Sequence, residues 1–281
     1  MKKIKKVGVI GGGLMGSGIA QVSAAAGFPT TVREVSEDLC AKSRQSIEKT
    51  LAKGIERGKV TPAERDTTLK NLRFVTRLED LDVKNSLWSQ LDRIAQPDAI
   101  FASNTSSLTI IAMATASGRP DRMLGMHFFN PVPLMKLVEV VRTVRTSEET
   151  EQRALDFVRS LGKEPIRAKD SSGFIVNLLL IPYMIDAINA VEANVASVED
   201  IDKGMQLGAG HPMGPFTLLD FVGLDTVYKI AEIMFAEYRD RRYAPPPLLK
   251  RMVLAGMLGK KSGKGFYDYS STPPRVSSLG L

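Results

Sequence analysis

Short apolar runs alternate with amphipathic stretches along the first part of the chain. The runs are short enough for β-strands, and the stretches between them repeat apolar residues at helical spacing. The predicted strands cover residues 5–10, 30–35, 72–76, 99–103, 124–128 and 137–141, and the predicted helical stretches cover 14–26, 37–71 and 83–95. Because strands that alternate with helices form parallel sheets, this order predicts an α/β fold with a doubly wound, mostly parallel sheet.

The pattern changes after Asp170. Residues 174–195, 199–205, 217–238 and 247–255 carry apolar positions at helical spacing, with almost no strand pattern between them. A boundary near residue 170 therefore predicts two domains: residues 1–170 form the sheet domain and 171–281 an all-helical second domain. The tail 270–281 is rich in Ser and Pro, so we expect it to be loose.

A glycine-rich turn separates the first predicted strand from the first helix. Gly11, Gly13 and Gly16 form G-x-G-x-x-G, the fingerprint of a Rossmann-type dinucleotide site, in which the phosphates lie at the helix N-terminus. Glu34 ends the second strand at about the 20-residue spacing expected of an acid that binds the adenosine ribose. Its charge favours NAD over NADP, whereas the neighbouring Arg33 weakens that preference.

The alternative is a glycine-rich turn beside an unrelated surface acid. On the dinucleotide interpretation, the expected cofactor contacts around the turn are Gly11, Gly13, Leu14, Met15, Gly16 and Glu34.

A predicted hairpin carries the candidate catalytic pair. Its two strands flank a turn over residues 130–133, and pairing about Pro133 would place His127 opposite Glu139 on one face. Oxidation of a secondary alcohol needs a base for the hydroxyl proton, and imidazole titrates near neutral pH. A carboxylate behind it would fix the tautomer and stabilise the imidazolium. The alternative is a solvent-facing cross-strand pair of small structural value. The second histidine, His211, precedes a proline in a glycine-rich turn, which indicates a structural role.

Charge and cysteine content narrow the function classes. The formal charge of +7 over 281 residues suits nucleic acid or an anionic small substrate. The scattered Lys and Arg, without interleaved aromatic residues, argue against nucleic acid. Cys40 is the single cysteine, so no internal disulfide can form and no metal motif is present; we expect a cytoplasmic, non-membrane protein.

Several segments together resemble the 3-hydroxyacyl-CoA dehydrogenase family, and its short-chain 3-hydroxybutyryl-CoA members most of all. The most specific are His127-Phe-Phe-Asn130-Pro131 and Lys136-Leu-Val-Glu139. The others are Ser103-Asn-Thr-Ser-Ser-Leu108, Gly173-Phe-Ile-Val-Asn177, Gly210-His-Pro-Met-Gly-Pro-Phe216 and Gly263-Lys-Gly-Phe-Tyr267. With the glycine turn, they span nearly all of the chain.

The resemblance implies an NAD-dependent oxidoreductase that interconverts short-chain (3S)-3-hydroxyacyl-CoA and 3-oxoacyl-CoA in fatty-acid or butanoate metabolism. It implies His127 as base, Glu139 as its partner, and Ser106 and Asn177 as hydrogen-bond donors to the substrate. Further polar contacts at the cofactor are expected from Asn104, Ser106 and Asn130, and homodimerisation from the helical domain.

Some of these residues allow other interpretations. Ser106 could be a helix cap, and Asn177 could make a capping or interhelical bond. Lys42, Lys49 and Lys53 of the charged helix suit the phosphates of CoA, but such a run is usually a solvated helix face.

Between Leu81 and Asp82 the chain departs from the family pattern. Doubly wound members of the family place a strand and a Glu-containing loop there, so roughly fifteen residues are missing on that comparison. The strand would lie beside the first one, and its loss would open the sheet unless residues 99–103 moved across. Alternatively, the sequence omits a segment of the natural protein.

Two rival functions follow from these observations. The missing segment makes a non-catalytic relative, as in a lens crystallin of this fold, the main alternative. The other is a hydroxyacid dehydrogenase that acts on free acids and uses a lysine as its acid–base group. The His–Glu hairpin argues against this function.

Overall fold

The structure, a computed structural model, describes residues 3–76, 85–106 and 108–279. The chain divides into two compact units, the first Met1–Thr105 with Thr109–Asp170, and the second Ser106–Leu108 with Ser171–Leu281. None of the helices in these described ranges is long and apolar enough to cross a membrane.

The first unit alternates strands and helices, as the sequence predicts. Its elements are β1 (Val7–Ile10), α1 (Leu14–Ala25), β2 (Thr30–Arg33), α2 (Glu37–Glu56), α3 (Pro62–Lys70), β3 (Leu72–Val75), α4 (Asn85–Ile94), β4 (Phe101–Ser103), α5 (Ile110–Ala116), β5 (Met123–Phe128), β6 (Leu137–Arg142), α6 (Glu148–Ser160) and β7 (Glu164–Lys169).

The charged stretch over 37–71 is a helical hairpin, because each of its two helices has its own N-terminal cap. The Ser36 side chain accepts a hydrogen bond from the Leu39 amide at the start of α2. Thr61 and Glu64 form a capping box at the start of α3, which opens with Pro62. The second cap begins α3 after the break that Gly58 and Pro62 predict in the sequence.

The strands that the structure describes in the first unit form two sheets. One has the order β1-β2-β3 and is parallel; the other has the order β4-β5-β6-β7, with β5 and β6 antiparallel. Strand β7 is not predicted from the sequence, because only its last four residues, Ile166 to Lys169, alternate apolar and polar, and Pro165 precedes them. It pairs with β6 and extends the sheet beyond the hairpin.

The two sheets are not joined by any strand of the described residues. Strand β4 pairs with β5, so the expectation that residues 99–103 slide across to β1 is wrong. Strand β1 pairs with β2, and on it Gly8 and Ile10 are exposed, although the central strand of a doubly wound sheet is buried. Leu81 and Asp82, where the sequence predicts the missing strand, lie outside the described residues.

The second unit is built of helices around one apolar core. They are α7 (Val176–Glu192), α8 (Val198–Ala209), α9 (Pro215–Val222), α10 (Leu224–Tyr238) and α11 (Pro247–Leu254). The prediction of one helix over 217–238 is wrong: Gly223, at φ +98°, separates α9 from α10. Phe216 and Phe266 are fully buried in the core, with ring centroids 4.6 Å apart.

The chain after α11 is more ordered than the sequence predicts. A short hairpin pairs β8 (Tyr267–Asp268) with β9 (Arg275–Val276), so the second unit is not entirely helical and the tail is not loose there. Buried Asp220 of α9 accepts hydrogen bonds from the Phe266 and Tyr267 amides at 2.9 and 2.8 Å. These bonds hold the Gly-Phe-Tyr segment on the helix, a long-range contact that local sequence patterns do not reveal.

Candidate active site

The glycine turn between β1 and α1 has the geometry of a dinucleotide site. Gly11 adopts φ +89°, and its amide donates to the Arg33 carbonyl at 2.9 Å. A Cβ at Gly16 would overlap the Gly11 carbonyl oxygen, so only glycine allows the helix to approach the turn this closely. Gly13 is the N-cap of α1 and provides no side-chain cap. The positive end of the helix is therefore left to other acceptors.

Glu34 follows β2 directly and reaches back to this turn. Its Oε1 accepts a hydrogen bond from the Gly12 amide at 2.6 Å. The carboxylate is therefore fixed at the place where an acid that binds the adenosine ribose is needed. Gly12 itself has no room for a side chain, since a Cβ there would lie 2.8 Å from Cβ of Ser43. The turn, the helix end and the carboxylate together fit NAD.

The first two residues of α1 differ in their surroundings. Leu14 is 72% exposed. Met15 packs against the apolar cluster beneath β5 and β6 that contains Leu124 and Val138. The helix that begins at the dinucleotide turn is thus anchored on the sheet that carries the catalytic hairpin.

The candidate catalytic pair lies in the predicted register. His127 of β5 faces Glu139 of β6, and the imidazole Nδ1 lies 2.6 Å from Glu139 Oε2. The two residues are 4% and 0% exposed, so the solvent-facing alternative is wrong. Because a carboxylate only accepts, Nδ1–H donates to it and the lone pair lies on Nε2. This is the tautomer that a general base needs.

Two asparagines border the hairpin. Asn104, which directly follows β4, accepts a hydrogen bond at Oδ1 from the Phe128 amide at 2.8 Å. This bond ties the end of β4 to the residue after His127. Asn130 is exposed in the loop that leaves β5. The sequence predicts that both asparagines contact the cofactor, but no local pattern signals the contact of Asn104 with the backbone of β5.

Ser106 and Asn177 come together in the second unit. Asn177, at the second position of α7, donates from Nδ2 to the Ser106 carbonyl at 3.3 Å. This bond ties the start of α7 to residue 106 within the second unit. Ser106 does not cap α5, whose N-cap is Thr109; the first amides of α5 donate to Asp170 instead.

The three candidate CoA-binding lysines are exposed on α2. Lys42, Lys49 and Lys53 are spaced by whole turns on the face opposite buried Ile47. They form a basic stripe on this exposed face of α2. His211 of the second unit lies 3.1 Å from the Tyr183 hydroxyl through Nδ1. This contact agrees with the structural role that the sequence indicates.

Comparisons with known proteins fit this geometry. The family model for the NAD binding domain of 3-hydroxyacyl-CoA dehydrogenase matches residues 6–171, and the model for its C-terminal domain matches 173–269. A 3-hydroxybutyryl-CoA dehydrogenase of Mycobacterium tuberculosis is 50% identical, with 95% of this chain and 99% of the relative covered. The mitochondrial hydroxyacyl-coenzyme A dehydrogenase of Sus scrofa is 46% identical, over 95% and 91%.

A solved structure is similar over the same extent. The (S)-3-hydroxybutyryl-CoA dehydrogenase of Ralstonia eutropha superposes with a TM-score of 0.90 at 38% identity, covering 96% of this chain and all of that one. The M. tuberculosis alignment runs over 282 positions and uses 95% of the 281 residues here, about 267. About 15 positions therefore have no counterpart in this chain, which agrees in size with the missing segment.

The relatives named above are all dehydrogenases, so they give no support to the non-catalytic alternative. The matching models cover almost the whole chain, and their NAD binding domain contains both the glycine turn and the His127–Glu139 pair. The chain belongs to the 3-hydroxyacyl-CoA dehydrogenase family, whose members are NAD-dependent oxidoreductases.

Proposed function

We propose that this protein interconverts short-chain (3S)-3-hydroxyacyl-CoA and 3-oxoacyl-CoA, with His127 as the general base. The observation that carries the proposal is the buried 2.6 Å contact between His127 Nδ1 and Glu139 Oε2 on neighbouring strands. Relatives named as 3-hydroxybutyryl-CoA dehydrogenases, up to 50% identical, support a four-carbon acyl substrate.

In the oxidative direction, His127 takes the proton of the substrate hydroxyl on Nε2 as the C3–O double bond forms. The imidazolium that results is stabilised by Glu139, which also keeps the ring from turning. NAD, when bound, accepts the hydride from C3. In the reductive direction His127 returns the proton to the C3 oxygen. Burial excludes water from the pair and strengthens its electrostatic interaction.

Ser106 and Asn177 are proposed to donate hydrogen bonds to the substrate, and Lys42, Lys49 and Lys53 to attract the CoA phosphates. The mutual contact of Ser106 and Asn177 supports a joint role for the first two. The exposure of the three lysines on one face of α2 supports their proposed role in attracting the CoA phosphates. Among the proposed cofactor contacts, Asn104 also orders the backbone beside His127. A reducing cytoplasmic location fits the single, buried Cys40.

A homodimer formed by the second unit is part of this proposal. Leu179, Leu207 and Phe221 on its helices are 63%, 87% and 51% exposed, and a second copy of the chain would cover such apolar side chains. Sedimentation velocity at micromolar concentration should give the mass of two chains. A single 30.7 kDa species would contradict this part.

The direct test of function is an assay with acetoacetyl-CoA and NADH, followed by the loss of absorbance of NADH, with NADPH in parallel. We expect turnover with NADH and far less with NADPH. His127→Gln should lower kcat by about 10²- to 10⁴-fold, the range of general acid–base catalysis, while the Kd for NADH is kept. An equally active His127→Gln protein would refute the assignment of the base.

A further inference from the structure

Lys163 follows α6 and directly precedes β7, and its ammonium is buried. The residue is 7% exposed. Its Nζ donates to the carbonyl oxygens of Val132 at 2.6 Å and of Met135 at 2.7 Å. Within the part of the chain that the structure describes, no carboxylate forms an ion pair with it inside 4.0 Å. The buried charge is therefore held by main-chain carbonyls of one loop, residues 129–136, here called the hairpin loop.

Burial of the Lys163 ammonium has a free-energy cost that its contacts must offset. Burying an ammonium removes its hydration, and burial lowers the pKa of Lys163 below its ordinary 10.5. An apolar side chain of the same length would avoid this cost but would leave the carbonyls of buried Val132 and of Met135 without this donor. Lysine at residue 163 therefore stabilises the fold only while the two carbonyls lie within hydrogen-bonding distance of its Nζ.

The hairpin loop is shaped to present them together. The amides of Leu134 and Met135 both donate to the Pro131 carbonyl, at 2.9 and 3.0 Å. This tight turn brings the Val132 and Met135 carbonyls within reach of one nitrogen. The next residue of β7 continues the attachment, since the Glu164 amide donates to the Lys136 carbonyl at 2.9 Å.

The same loop is held from its other side by α1. A Cβ at Gly18 would lie 2.7 Å from Cβ of Val132, so the helix and the loop are already in close contact there. Val132 is 2% exposed. Its carbonyl is bound by Lys163 and its side chain packs on Gly18. Because α1 starts at the dinucleotide turn and the hairpin loop starts two residues after His127, Val132 links the two halves of the site.

We propose that Lys163 is a positioning residue, which holds the hairpin loop against α1 and thereby sets the distance of His127 from the dinucleotide turn. Its hydrogen bonds reach the loop and not the reacting groups, so it is not a catalytic residue. The expected effect on kcat rests on the proposed function. The expected effect on the position of the hairpin loop rests on the loop contacts alone.

The test compares Lys163→Met with the matched control Lys169→Met, an exposed lysine at the end of β7, the strand that Lys163 precedes. With acetoacetyl-CoA and NADH, Lys163→Met should lower kcat at least 10-fold, raise the deuterium isotope effect on kcat, and change the Kd for NADH less than 2-fold. Lys169→Met should match the wild type in all three. Wild-type kcat and isotope effect in a folded Lys163→Met protein would overturn the proposal.

Two further measurements cover the remaining outcomes. If Lys163→Met does not fold, Gly18→Ala displaces Val132 from the opposite side with Lys163 intact; it should show the same loss of kcat, and full activity would overturn the proposal. If the wild type has no turnover, the proposed function fails. Amide hydrogen exchange of residues 129–137 then tests whether Lys163 holds the hairpin loop. Faster exchange in Lys163→Met than in Lys169→Met supports the proposal, and equal exchange overturns it.

Discussion

The chemistry of this protein depends on two side chains that the fold removes from water. His127 and Glu139 are almost completely buried, and their 2.6 Å contact leaves the ring little freedom. Removing one partner of such a pair typically costs about 3–5 kcal/mol. The informative substitutions are therefore those that keep the hydrogen bond and remove only the charge.

Glu139→Gln is the residue-scale test of the pair. The amide keeps the size of the side chain but cannot stabilise an imidazolium, so we expect kcat to fall by about 10²-fold, the lower end of the general acid–base range. The Kd for NADH should not change. Glu164→Gln, at an exposed position on β7, is the control. Equal kcat for both variants in stopped-flow turnover would show that the charge has no role.

The burial of Lys163 leads to a second prediction at the residue scale, on how the free energy of unfolding depends on pH. Its native pKa is lowered by burial, whereas the unfolded chain holds the proton up to the ordinary 10.5. Over that interval the unfolded state binds more protons, so the native state gains stability as the pH rises. The neutral amine still has two N–H groups for the two carbonyls.

Urea denaturation at pH 7, 8, 9 and 10 measures this effect. The difference in the free energy of unfolding between the wild type and Lys163→Met should widen in favour of the wild type toward alkaline pH. A difference that narrows instead would show that the native pKa is not lowered.

At the scale of elements, carboxylates at helix starts fix the segments around the site. Asp170 accepts hydrogen bonds from the Ile110 and Ile111 amides, both at 2.7 Å. It thereby caps α5, whose own N-cap, Thr109, makes no side-chain bond. The acceptor lies about 60 positions away in sequence, so the cap is tertiary and not local.

Asp170→Ala should lower the free energy of unfolding by about 1–2 kcal/mol, because both cap bonds are lost. Chemical denaturation followed by circular dichroism measures it. Asp156→Ala removes an exposed carboxylate of α6 and should change stability by less than about 0.5 kcal/mol. If the two variants are equally stable, the α5 cap contributes nothing.

At the scale of the whole chain, the unusual feature is the division of the strands of the first unit into two sheets. The amides of Val7 and Gly11 donate toward β2, to the carbonyls of Pro29 and Arg33. Because consecutive amides of a strand alternate in direction, those of Gly8 and Ile10 point to the opposite edge. No strand of the described residues pairs with that edge.

Amide hydrogen exchange measured by NMR tests this arrangement. The Gly8 and Ile10 amides should exchange as fast as those of an edge strand, and at least 10-fold faster than the amide of Val32 in the central strand β2. Protection of Gly8 and Ile10 equal to that of Val32 would show that this edge of β1 is occupied.

Part of the site is local and could be predicted. The glycine turn is a contiguous motif whose conformation follows from the absence of Cβ atoms. The hairpin register follows from the position of its turn, since two antiparallel strands joined by one short loop have few ways to pair. For this reason the sequence alone predicts that His127 lies opposite Glu139, and the structure confirms this register.

Other features required the fold. The break at Gly223, the pairing of β7 and the attachment of the Gly-Phe-Tyr segment to Asp220 depend on contacts between residues far apart in sequence. Apolar periodicity reports which face of an element is buried, but not which element covers it.

The sequence by itself determined the chemical groups and their local geometry: the phosphate-binding turn, the acid after the second strand, and the imidazole paired with a carboxylate. Only the tertiary structure decided that the pair is buried, that Glu34 bonds the Gly12 amide, and that Lys163 holds the hairpin loop. Backbone conformation and strand register are set by neighbours along the chain. Burial and long-range hydrogen bonds arise only when distant segments pack together.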